Sequence, residues 1–152
     1  MSLRTLIGLG ITIALAAPAT ADEPKKVSVT CDVVEVWATH GKGVADPALA
    51  KQLVKRFEQT LKQNEFKQLS SNKVTLETKK SQTLKLAKGS GAITLIETVN
   101  KSQARLTVAF SAVKGKSTAT QLVAGGDWVV ASVNQSNDAK AEAHVLAVGS
   151  CK

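Results

Sequence analysis

The chain carries two cysteines near opposite ends, Cys31 in VSVTCDVV and Cys151 in the closing VGSCK. Two cysteines allow a single intramolecular connection. A bridge needs Cα atoms within about 7 Å of one another. A Cys31–Cys151 disulfide therefore makes the first and last strands neighbours, in one sheet or across a core. No other feature of the sequence removes as many topologies. In the chain-entropy account, closing a loop of this length contributes roughly 4–5 kcal/mol. The cysteines lack the close paired spacing of a zinc site, and no C-x-x-C marks a redox pair.

The bridge requires an oxidising compartment, and the N-terminus points to one. Arg4 precedes an apolar run from Leu6 to Ala17, followed by Pro18 and the small residues Ala19-Thr20-Ala21. These are the three regions of a secretory signal peptide. The run is short of the roughly 20 residues that span a bilayer. The expected organisation is a signal peptide over 1–21, removed before Asp22, a flexible leader over 22–26 and a single β-rich domain over 27–152. The expected location is the periplasm or the extracellular space, with no transmembrane span in the mature chain.

The residues after the leader alternate as strands do. In VSVTCDVVEVWAT, Val27, Val29, Cys31 and Val33 share one phase while Val34 and Val36 take the other. That pattern predicts a bulge or a strand buried on both faces. HGKGVA ends the strand. Asp46 and Pro47 then suit the first positions of a helix. Leu49, Leu53, Phe57 and Leu61 recur every four residues, so an amphipathic helix of about 18 residues is predicted, ending near QNEF. Lys51, Lys55 and Lys62 fall on its opposite side as a candidate basic face.

Short alternating segments follow. KVTLET and TLKLA flank KKSQ, AITLIETV and ARLTVAF flank NKSQ, STATQLV and DWVVASV flank AGG, and AEAHVLAVG follows NQSND. Short polar connections between such runs predict antiparallel hairpins. The expected fold class is α+β and mainly antiparallel β. It is a sandwich or helix-backed sheet of about eight strands, with one amphipathic helix after the first strand and its ends joined by the disulfide. An outer-membrane barrel is disfavoured, because two tryptophans, three phenylalanines and no tyrosine cannot build two aromatic girdles.

Motifs for specific chemistry are sparse. Gly115-Lys116-Ser117 resembles the end of a P-loop, but Phe110 stands where the first glycine belongs and STATQLV reads as a strand. His40 lies in the loop after the first strand, near Asp46. His144 lies in the last strand with Glu142 in the same phase, and reads as a surface histidine. Neither histidine has metal-site spacing. Asn100-Lys101-Ser102 and Asn134-Gln135-Ser136 read as polar turns. Trp37 and Trp128, at strand ends, read first as core or rim packing and second as contact residues. Trp37, His40, Lys42 and Trp128 form the candidate binding set.

The formal charge of +8 at pH 7 comes mostly from lysine, since only Arg4, Arg56 and Arg105 are arginine. Specific nucleic-acid binding ordinarily adds arginines and stacking aromatics, so none is expected. No cofactor and no metal are expected. The reading is an exported, non-enzymatic binding or structural protein of the bacterial cell envelope, acting on another envelope or secreted protein. The alternatives are a binder of anionic polymers or lipid head groups through Lys51, Lys55 and Lys62, and a hydrolase assembled from distant residues such as His40, Asp46 and Ser132.

Overall fold

The computed structural model describes residues 27–100, 102–138 and 142–152. The expected signal peptide (1–21) and leader (22–26) lie outside the described residues. The element order is β1 (Ser28–Thr39), α1 (Lys51–Thr60), β2 (Glu65–Glu77), β3 (Ser81–Lys85), β4 (Ser90–Asn100), β5 (Gln103–Ala112), β6 (Gly115–Ala124), β7 (Trp128–Asn134) and β8 (Glu142–Gly149). They form two four-stranded antiparallel sheets, β2-β1-β8-β7 and β3-β4-β5-β6.

The first and last strands are neighbours, from Asp32 opposite Gly149 to Thr39 opposite Glu142. Cys31 and Cys151 form a disulfide with Cα atoms 4.1 Å apart. Beyond the last ladder pair, Thr30 N–H donates to Lys152 O and Lys152 N–H to Thr30 O. Backbone pairing and covalent bond thus close the same end of the fold.

β1 is buried on both faces, and its pairing with β2 also contains a bulge. Cys31 and Val33 pack into a core shared with Ile93, Leu95, Leu106, Val108 and Phe110 of the second sheet. Val34, Val36 and Ala38 face the other way, into a smaller core with Leu53 and Phe57 of α1. The bulge falls in β2, where Glu35 pairs with Ser70 and Val36 with Gln68, leaving Leu69 as the extra residue. The layers are therefore helix, sheet, sheet, in a sandwich-like arrangement.

The helix is shorter than its hydrophobic stripe. Asp46 does not cap it. One carboxylate oxygen of Asp46 accepts from Ala48 N–H at 3.0 Å and the other from Gln68 N–H at 3.3 Å. Asp46 O accepts from Leu49 N–H. The carboxylate that could have started a helix instead makes a turn and ties that turn to β2. The helix begins at Lys51 and ends at Thr60. Of the segment expected to finish it, Leu61 to Asn64 are loop, and Glu65 and Phe66 open the long strand β2, which runs on through KQLSSNK.

Two of the expected hairpins exist, β4–β5 and β7–β8, and β3–β4 and β5–β6 are two more. The other two expected hairpins do not form: β2 to β3 and β6 to β7 pass from one sheet to the other. Lys79 (φ 62°) and Gly126 (φ 83°) occupy left-handed backbone in those two connections. At Asn100, the side-chain oxygen accepts from both the N–H and the hydroxyl of Ser102, the polar turn expected there.

Candidate functional site

The strongest concentration of chemistry lies at the end of the fold away from the disulfide, between the two sheets. Val33, Glu35 and Trp37 share the inward phase of β1, which places a carboxylate in the core. On β8 the corresponding phase holds His144. His144 Nε2 and Glu35 Oε1 are 2.7 Å apart, and both side chains are 0% exposed.

Five elements converge on the pair. Glu35 Oε2 accepts from Ser70 Oγ at 3.0 Å, on β2, and from Ala87 N–H at 2.5 Å. Glu35 Oε1 accepts from Lys88 N–H at 2.9 Å as well as from the imidazole. Ala87 and Lys88 belong to the β3–β4 turn of the opposite sheet. On the far side of the ring, Val113 N–H, in the β5–β6 turn, donates to His144 Nδ1 at 3.3 Å. A ring that accepts at Nδ1 donates from Nε2, which assigns the tautomer. Burial pushes the Glu35 pKa up. The Lys88 N–H, the imidazole, the Ala87 N–H and the Ser70 hydroxyl more than offset this and hold it below the usual value.

Aromatic rings close the pair off. The Phe110 ring meets the imidazole edge-on at 4.8 Å between centroids, and Trp37 covers it at 5.3 Å. Lys88 Nζ lies 4.8 Å from the Trp37 centroid. Gly89 permits the close approach of this turn: a Cβ there would sit 2.6 Å from Ser111 O and 3.1 Å from His144 Cε1.

A carboxylate–imidazole hydrogen bond is the core of many general-base sites. This one has no free acceptor, since Nδ1 is occupied by Val113. Ser70 donates to Glu35 rather than to the ring, so it is not placed as a nucleophile. The pair acts as a clamp: one carboxylate gathers donors from strands and turns of both sheets.

This placement corrects the surface reading of His144, whose partner is Glu35 rather than Glu142. Sequence reasoning missed Glu35, although its position in the inward phase of β1 was a usable signal. The candidate set Trp37, His40, Lys42 and Trp128 is divided. Trp37 is half-buried over the clamp. His40 and Lys42 are exposed in the following loop, which is fastened by Gly41 N–H to Asn64 Oδ1 and Lys42 N–H to Glu65 Oε1. Trp128 is buried at the opposite end of the first sheet, in the core beneath the helix. Lys51 and Lys55 are exposed on α1, while Lys62, also exposed, lies beyond its end. His40, Asp46 and Ser132 do not assemble: Asp46 lies outside β2 and Ser132 on β7, at opposite edges of one sheet.

A cleft of about 460 Å³ opens at the disulfide end, lined by Val27, Val29, Val99, Val123 and Cys151 among others, with Lys152 its one titratable side chain among the described residues. Val99 at its rim is 52% exposed. No group of three or more His, Cys, Asp or Glu side chains suited to a metal occurs among the described residues. No helix among them is long and apolar enough to cross a membrane. Compared with known proteins, the chain matches no family model, no curated protein and no solved structure.

Proposed function

We propose that this chain is an exported, non-enzymatic binding module of the bacterial cell envelope, acting through protein–protein contacts. The observation that carries the reading is a separation of chemistry from access. The acid–imidazole pair is enclosed and spends its hydrogen bonds on the fold. The cleft at the disulfide end, one of several that open to solvent, sets four valines among the polar Ser28, Thr98, Asn100, Ser102 and Gln103 and offers, among the described residues, one lysine as its titratable side chain. A surface of that kind supports contact rather than proton transfer. The disulfide supports export, because such bonds persist in oxidising compartments.

The test uses a photoreactive residue in place of Val99, introduced in the producing cell. Cross-linking to a single envelope protein, lost when Val27→Glu is added, is the expected result. Cross-links no richer than those from Lys51 on α1 would reject the cleft as the contact surface. N-terminal sequencing of the recovered protein tests export separately: a chain beginning at Asp22 agrees, and one retaining MSLRT does not.

A further inference from the structure

We propose that β6 is a self-docking edge, pairing antiparallel with β6 of a second copy so that two four-stranded sheets become one of eight strands. This goes beyond the proposed envelope contact and uses a different surface.

An open sheet presents unpaired N–H and C=O groups at each edge, and proteins ordinarily blunt such edges with bulges, prolines, charges or a covering segment. The edges here are treated unequally. β2 carries the Leu69 bulge, and its first part is covered by Ala45, which bridges to Phe66. β3 is five residues long. β7 is seven residues long, with Trp128, Val129 and Ala131 buried in the two cores. β6 is ten residues long and follows β5 in continuous register from Gly115 to Ala124. It has no proline, and no charge between Ser117 and Ala124.

The strand is complementary to itself. Turned about a two-fold axis through Thr120, Thr118 comes opposite Leu122 and Lys116 opposite Ala124. Lys116 of each copy then lies opposite the uncharged Ala124 of the other. A parallel alignment in register would set lysine against lysine. Leu122, 40% exposed, would gain a methyl-bearing neighbour in Thr118.

The axis also continues a pattern already present. Ser81, Thr94, Thr107 and Thr120 are paired in sequence across the whole sheet, and Thr107 Oγ1 and Thr120 Oγ1 are 3.0 Å apart. Two Thr120 residues meeting on the axis would extend that row from one copy to the other, with cross-strand threonine pairing of the favourable kind. The resulting interface is isologous and closes at a dimer, since each copy uses the same single edge.

The test is sedimentation equilibrium on the disulfide-bonded protein from about 1 μM to 1 mM, at physiological salt. Wild type is expected to dimerise reversibly. Thr120→Lys places two ammonium groups on the axis and is expected to raise the dissociation constant at least tenfold, with an unchanged melting temperature in the monomer. Should Thr120→Lys fail to fold, Thr118→Glu at the same edge serves in its place. Thr120→Cys is expected to give a disulfide between the two introduced thiols, one from each copy, under mild oxidation, while Cys31–Cys151 stays intact. A protein that is monomeric throughout, including one that binds a free peptide of residues 115–124 yet does not pair with itself, overturns the proposal. So does a dimer that both edge variants leave intact.

Discussion

Glu35 and His144, separated by 109 positions in the chain, meet at 2.7 Å with neither side chain exposed. Their bond fixes β1 to β8 at the end where the disulfide does not reach. Through Ala87, Lys88 and Val113 it also fixes the first sheet to the turns of the second. The fold is thus fastened at both ends, covalently at one and by a buried polar cluster at the other. Such a cluster is costly when incomplete, because each orphaned group keeps its desolvation penalty.

That cost gives the first prediction. Glu35→Ala strands the imidazole N–H, two backbone N–H groups and the Ser70 hydroxyl. It should destabilise the protein by several kcal/mol, since each buried donor left unsatisfied costs about 1–3 kcal/mol. Ser70→Ala removes one donor of four and should cost about 1 kcal/mol. Urea unfolding checks the order; equal costs for the two would mean that the cluster is not cooperative.

Acid should act through the same carboxylate. Its folded pKa lies below the unfolded value, so the folded state favours the ionised form. The resulting stability is fully present above the unfolded pKa of about 4.3 and is lost as pH falls through the lowered folded value. Wild type should therefore lose stability below that pH more steeply than Glu35→Gln. Parallel pH profiles of the two would remove Glu35 as the cause.

Phe57 is fully buried between α1 and the outer face of the first sheet, 5.1 Å from the Phe66 ring. Phe57→Ala should cost about 3–5 kcal/mol. Thermal unfolding reads the result, and an unchanged melting temperature would make the stripe a contact surface.

Replacing both Cys31 and Cys151 by serine should cost roughly 4–5 kcal/mol in the loop-entropy account. The β1–β8 ladder and the Thr30–Lys152 backbone bonds should hold the native arrangement, so the near-ultraviolet spectrum should be retained at low temperature. A collapsed spectrum would mean that the bridge defines the fold rather than reinforcing it.

Much of this architecture is legible in the residues. The two cysteines force the ends together, the mixed phases of Val33 to Val36 announce a strand covered on both sides, and Leu53 and Phe57 mark a helix on a core. The boundaries of that helix are not legible, because Asp46 had two uses open to it. Only the presence of β2 alongside turns its carboxylate toward Ala48 and Gln68. The sheet changes at Lys79 and Gly126 are hidden for a related reason: a short polar connection looks the same whether the next strand pairs with its predecessor or crosses to the other layer. The clamp was half legible. Glu35 stands in an inward phase, which demands a partner, yet nothing local names His144. The donors from Ala87, Lys88 and Val113 are backbone groups, which leave no mark in a sequence.

The central claim is that this pair is a sealed clamp and not a reaction centre. The chain has two histidines, His40 exposed and His144 fully buried, so carbethoxylation followed by peptide mass spectrometry tests it directly. The account predicts rapid modification of His40 in the folded protein, with His144 untouched until urea unfolds the chain. Modification of His144 in the folded protein at a rate close to that of His40 would contradict it, because an imidazole that a small electrophile reaches is one that a substrate could reach.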